Sequence, residues 1–160
     1  MKKAEVMLSL LRIAMGVLFT WAFFDKVFGL GFATTSARAW IHGGSPTSGF
    51  LKFTDGTFSP IFQFLSGIQI IDWLFMLGLL GIGLAMLSGI GLRIAGYAGA
   101  VFGVLLYLSV FPPQNNPVID EHLIYSLIFL VFSTGEVGRR YSLYLWWSKQ
   151  ALVKKYSFLQ

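Results

Sequence analysis

Four long apolar blocks divide the chain, at residues 6–24, 70–88, 94–111 and 117–135. An α-helix rises about 1.5 Å per residue, so each block has roughly the length that crosses the hydrocarbon core of a bilayer. The pattern predicts an all-α integral membrane protein, a four-transmembrane-helix bundle forming a single membrane domain over residues 1–160. The first block has no small-residue cleavage site behind it and runs straight into Phe23-Phe24-Asp25-Lys26, so it reads as a retained span. Gly29 and Gly31 break that helix. Asn116 is placed to cap the fourth helix with Pro117 at its first position, and Gly135 and Gly138 end it. In the third block Ala95, Gly99 and Gly103 recur every four residues, a small-residue stripe that lets helices approach closely in lipid. Packing within the bundle is its expected use, and a homo-oligomer is the alternative.

The connection at residues 32–69 is too apolar to be a solvated loop. Residues 33–41 predict a short helix ending near Trp40, and a turn-rich stretch, Gly43-Gly44-Ser45-Pro46-Thr47-Ser48-Gly49, follows. Phe50, Leu51, Phe53, Phe58, Ile61, Phe62, Phe64 and Leu65 then place the rest in the membrane interface or dipping back into the bundle. Such backbone is tolerated where protein covers it. The glycine–serine stretch reads as turns, with a backbone cradle for an anion as the sharper alternative. At the other end of the chain, residues 141–159 mix Trp146, Trp147, Leu152, Val153 and Phe158 with Lys149, Lys154 and Lys155, which predicts an interfacial helix.

Composition supports lipid as the solvent: 56% of residues are hydrophobic and 12% charged, against about 25% charged in a soluble domain. The absence of cysteine excludes thiol–disulfide chemistry, iron–sulfur ligation and c-type haem attachment. With only His42 and His122 available, both beside loops, neither a bis-histidine haem nor a metal site is expected, and nothing predicts a nucleic-acid partner. Lys2, Lys3, Arg93, Arg139, Arg140, Lys149, Lys154 and Lys155 fall on one side of the predicted spans, and only Lys26, Arg38 and Lys52 on the other. The positive-inside rule then makes this a multi-pass cell-membrane protein with both termini cytoplasmic.

Charges inside or beside the blocks are the candidates for chemistry, because charge in a membrane is costly without a partner. Asp120, Glu121 and His122 stand in consecutive positions just before the last apolar run. Helix capping and the macrodipole explain the two acids but not the histidine, which gains nothing at a helix N-terminus. Glu121 with Tyr125, and His122 with Ser126, are four apart and share a helix face. Two carboxylates, an imidazole and a phenol so grouped could handle protons. Asp25, Lys26, His42, Asp72 and the Asp120–His122 triplet all map to one membrane side and are expected to converge into one pocket. Arg12, within the first block, has two readings: a side chain snorkelling to the headgroups, or an internal cation partnered by Glu136.

Several of these motifs together are familiar. Leu11-Arg12-Ile13, Gly43-Gly44-Ser45-Pro46-Thr47 with Gly49-Phe50-Leu51, Asp72-Trp73, and Asn115-Asn116-Pro117-Val118-Ile119-Asp120-Glu121-His122 resemble the DoxX/DoxD family of small four-span membrane proteins, the DoxD branch most closely. The resemblance reaches to about Gly138. It implies a subunit of a thiosulfate:quinone oxidoreductase that pairs with a second subunit. In that setting thiosulfate is oxidised outside the membrane and its electrons pass to quinone. Lys26, Arg38, His42 and Asp72 would then meet the substrates, and Asp120, Glu121 and His122 would supply quinol protons. The competing expectation is a non-catalytic anchor, assembly partner or small-solute conduit for another protein.

Overall fold

A computed structural model describes residues 2–159, and every regular element among them is helical. Helix α1 (Lys2–Phe28) leads into a connection holding two 3-10 turns, Ser36–Arg38 and Trp40–His42, and two short helices, α2 (Ser48–Leu51) and α3 (Ser59–Phe64). Then come α4 (Gln69–Ser88), α5 (Leu92–Ser109) and α6 (Glu121–Ser133). The chain closes with α7 (Tyr144–Trp147), α8 (Ala151–Lys155) and a last 3-10 turn, Ser157–Leu159. Helices α1, α4 and α5 are long and apolar enough to cross a membrane, which marks a membrane protein.

Three expectations need correction. The fourth apolar block gives a helix of 13 residues, about 20 Å long against a hydrocarbon core of about 30 Å. Asn116 does not cap it. Its Oδ1 accepts from the backbone N–H groups of Val118 (2.9 Å) and Ile119 (3.2 Å), closing a turn that keeps 117–119 out of the helix. The N-cap is Asp120, in an extended conformation, with Oδ1 accepting from Leu123 N–H at 3.0 Å. The helix expected over residues 33–41 is divided into its two 3-10 turns by Ala39, whose ψ of 143° is not helical. The single helix expected at 141–159 is likewise broken by Gln150, which is extended at ψ 140°. Trp147 Nε1 then donates to Leu159 O at 2.6 Å and folds the end back.

The long helices pair where small residues let backbones meet. In the antiparallel α1–α4 pair, a Cβ at Gly16 would lie 2.7 Å from Leu87 N, and one at Gly83 2.9 Å from Thr20 N. Helices α5 and α6 pair through Gly96, Gly99 and Gly103; a Cβ at Gly96 would sit 2.5 Å from the Ser133 backbone. The small-residue stripe is therefore used inside the bundle. Phe19 of α1 joins the pairs by edge-to-face contacts with Phe102 (5.7 Å) and Phe129 (5.1 Å).

At one end of the bundle Arg12 is 0% exposed. It neither snorkels nor meets Glu136, which is exposed. Nε donates to Gly138 O (2.8 Å), Nη1 to Met86 O and to Leu87 O (3.0 Å), and Nη2 to Arg140 O (3.2 Å) and Tyr141 O (3.0 Å). Met86 and Leu87 belong to the last turn of α4, where four carbonyls lack helical partners. The other two are met by Gly89 N–H on Ala85 O (2.8 Å) and Leu143 N–H on Ser88 O (2.8 Å). Away from water such carbonyls must be satisfied within the protein, and a cation there also suits the helix dipole. Glu5 and Ser9 share Arg12's face of α1. The Glu5 carboxylate accepts from Gly138 N–H (3.2 Å) and Arg139 N–H (2.7 Å), and Ser9 Oγ from Arg140 N–H (3.2 Å).

Replacing Arg12 with Ala strands five carbonyls, and the fold is expected to lose about 3 kcal/mol or more. Arg12→Lys should recover only part of that, because an ammonium cannot span both carbonyl groups. Unfolding in mild detergent checks both, and an Arg12→Ala protein as stable as wild type would contradict this reading of the node.

Candidate functional site

The opposite end of the bundle is closed by the first connection, held down by buried carboxylates. Asp25, in the last turn of α1, accepts from Phe32 N–H (3.3 Å) and Ala33 N–H (3.0 Å). Asp72, in the first turn of α4, is 6% exposed. Its Oδ1 accepts from Ser45 Oγ (2.8 Å), Thr47 Oγ1 (2.6 Å) and Thr47 N–H (3.1 Å). The glycine–serine stretch thus cradles an anion that belongs to the protein itself. Thr57 N–H donates to Phe111 O at 2.7 Å, tying the connection to the residues just after α5.

Beneath this cover lies a cavity of about 760 Å3. Lys26 of α1, Arg38 of the connection and His122 of α6 line it, with Leu74 and Phe75 of α4 and Phe102, Leu105 and Leu106 of α5 among its apolar walls. Among the described residues no Asp or Glu lines it. Lys26 Nζ sits 5.7 Å from the centre of the Phe75 ring, a cation–π contact. Among the described residues neither the Lys26 nor the Arg38 side chain has a hydrogen bond or an ion pair. Lys26, with the Asp25 carboxylate near it on α1, and the exposed Arg38 set positive charge beside apolar walls, which favours a ligand with an apolar body and oxygen acceptors or negative charge at one end.

The third polar group is oriented from behind. His122 Nδ1 lies 2.7 Å from Asp120 Oδ2, while Asp120 Oδ1 caps α6. A carboxylate only accepts, so Nδ1 carries the proton and Nε2 is the nitrogen left for a ligand. Ser126 Oγ donates to His122 O at 2.8 Å, and Ser126 abuts Gly103 of α5, fixing the helix that carries the ring. The arrangement can hold an oxygen acceptor at Lys26 and offer Nε2 of the neutral imidazole as an acceptor, able to exchange a proton there.

The seven groups expected to converge therefore separate. Lys26 and His122 line the chamber, joined there by Arg38, and Asp120 stands behind the imidazole. Asp25 and Asp72 hold the cover without lining the chamber. Glu121 is exposed, and His42 is an exposed residue whose Nδ1 lies 2.9 Å from Ser36 O; neither lines the chamber. Tyr125 packs on the apolar core. Arg12 and Glu136 belong to the far end, and Asn116 to the turn before Asp120. Among the described residues no three His, Cys, Asp or Glu side chains gather as metal ligands would. Sequence reasoning missed the apolar walls, since nothing in the pattern separates Phe102 or Leu105 from any other residue of a span. It also missed Glu5, for which there was a signal: Glu5, Ser9 and Arg12 recur at helical spacing.

No family model, curated protein or solved structure matches this chain.

Removing the Asp72 carboxylate takes away three hydrogen bonds to a charged acceptor. Asp72→Ala is expected to destabilise the fold by about 2–3 kcal/mol. It should also speed amide exchange over residues 45–51 while leaving the paired cores of α1 and α4 protected. Unchanged exchange over 45–51 would show that the cover is held by something else.

Proposed function

We propose that this protein is the membrane subunit of a quinone-linked oxidoreductase that draws electrons from a small anionic sulfur compound of the thiosulfate type. The observation that carries the reading is the chamber that joins Lys26, Arg38 and His122 beneath a tied-down cover. The motif resemblance to the DoxX/DoxD family points the same way. In this reading α6 and the residues before it complete a four-span bundle, both termini are cytoplasmic, and the chamber lies at the outer face. A second oxidoreductase subunit brings the chemistry that the anion needs. The cations attract the anion, Lys26 donates to a quinone oxygen, and His122 does so once Nε2 has taken up a proton. Quinone takes up two electrons and two protons on becoming quinol. His122, backed by Asp120, relays protons to it, a role worth about 10²-fold or more in rate.

A second reading is supported by the number of carboxylates engaged in holding backbone. Asp25, Asp72 and Asp120 all accept from main-chain N–H groups, as they would in a non-catalytic anchor, assembly partner or small-solute conduit. His122→Ala separates the two. The protein, with any subunit that co-purifies, is assayed for quinone reduction and for melting on one preparation. The oxidoreductase reading expects turnover to fall about 10²-fold with the melting temperature nearly kept. Unchanged turnover would end the catalytic assignment.

Orientation has its own test, made simple by the absence of cysteine. Single cysteines at Ser48 and Gln114 should react with an impermeant thiol reagent added outside cells, and one at Gln160 should not. The opposite pattern would invert the topology.

A further inference from the structure

The chamber is not closed on its lipid side. Leu74 and Leu105 line it, yet they are 60% and 51% exposed. Leu74 lies on the outward face of α4 with Ile70, Leu77 and Leu84, and Leu105 on that of α5 with Ile94 and Val101. The edge of the chamber therefore lies at the apolar surface between α4 and α5, and exposed Arg38 and Phe50 of the cover line it as well. These helices touch far less than the α1–α4 and α5–α6 pairs do.

A second hollow begins at that edge. It measures about 660 Å3, shares Phe102 and Leu105 with the chamber, and continues along α5 past Val101, Ala98 and Tyr97 to Ile94. Phe158, from the folded-back end of the chain, forms part of its wall, and its lining is almost wholly apolar. From Leu105 to Ile94 the groove follows α5 for about 16 Å. Two compartments of opposite character thus meet at Phe102 and Leu105. One carries Lys26, Arg38 and His122, and the other is apolar along most of its length, with Tyr97 and, at the end away from the chamber, Arg93 also lining it.

We propose that the two hollows form one site for a membrane-borne amphiphile with a single long hydrocarbon chain, whose oxygen-bearing head occupies the chamber and whose chain leaves between Leu74 and Leu105 to lie along α5. The proposal rests on the quinone reading for the identity of the head, so the ligand is a quinone with a long tail, taken sideways from the bilayer. The geometry of the groove is independent of that reading. Inside a bilayer the tail is already out of water, so the groove adds close packing along the chain and a fixed exit for it, not transfer from water. Phospholipid merely filling surface hollows would show no preference for a head that the chamber can hold.

Ala98, exposed on α5 and lining the groove away from the chamber, is the place to test this. Native mass spectrometry of the full-length protein from nanodiscs would compare a long-tailed benzoquinone, a tail-less benzoquinone and a long-chain fatty acid at equal mole fraction in the lipid. The expected result is a measurable preference for the tailed over the tail-less quinone, from packing of the chain against α5. Ala98→Trp, which fills the groove, should abolish that preference without changing tail-less binding, and Ala98→Ser should keep it. Equal binding of the two quinones, or a preference that survives Ala98→Trp, would overturn the groove and leave the quinone reading standing. Retention of the fatty acid alone, lost in Ala98→Trp, would support the groove and overturn the quinone head. Retention of none of the three probes would overturn both. Melting temperatures of the two variants ensure that a lost preference is not lost folding.

Discussion

A buried guanidinium organises this bundle. Arg12 lies within an apolar helix, in surroundings where an unpaired charge would be costly, and its five donors are all directed at backbone carbonyls. Helix α4 must end somewhere, and its terminal carbonyls have no water to turn to. Arg12 takes the middle two, while Gly89 and Leu143 take the outer two. Reaching Gly138, Arg140 and Tyr141 as well, it fixes where the chain goes after α6. A salt bridge to Glu136 would have neutralised the charge without solving the carbonyls. Carbonyl coordination satisfies the carbonyls and all five donors, and the charge is offset by the nearby Glu5 carboxylate, which also takes two N–H groups from the same segment.

With one end closed in this way, the other is free to be hollow. The same rule, that backbone polar groups away from water need partners, is met there by aspartates instead of an arginine. Asp25 and Asp72 hold the connection over the bundle, and Asp120 starts α6. What they leave uncovered is a chamber lined by Lys26, Arg38 and His122, the last oriented by Asp120, together with several hydroxyls and apolar walls. The sparse α4–α5 contact leaves room for the proposed opening toward lipid. A well-packed α1–α4 pair and a well-packed α5–α6 pair meet along a looser seam, and the seam is where a ligand can enter.

The elements were legible because hydrophobic length is a strong signal: α1, α4 and α5 lie where the apolar blocks predict. What failed was local polar competition. Asn116 and Pro117 make a good helix start on paper, but the Asn116 side chain closes a turn onto 118 and 119, and Asp120 three residues later offers the cap that is used. Gln150 ends what composition would continue. The site was legible in part. Lys26, Arg38 and His122 stood out as charges beside apolar runs, and the chamber brings them together. Asp72 stood out equally, but its carboxylate is engaged by Ser45 and Thr47, and only the folded loop reveals that. Phe75, Phe102 and Leu105 carry no mark in the sequence, because a cavity wall and a lipid-facing side chain have the same chemistry.

A lipid-soluble ligand held in the chamber against its cations, as proposed, should stay with the protein through purification. Wild-type protein purified in mild detergent, with no ligand added, is extracted with solvent and its quinone measured per chain, beside a Lys26→Met protein prepared identically from the same cells. Roughly stoichiometric long-tailed quinone is expected in the wild type and a large loss of it in Lys26→Met. Quinone no higher than in an unrelated membrane protein from those cells, or equal amounts in both preparations, would contradict the proposal.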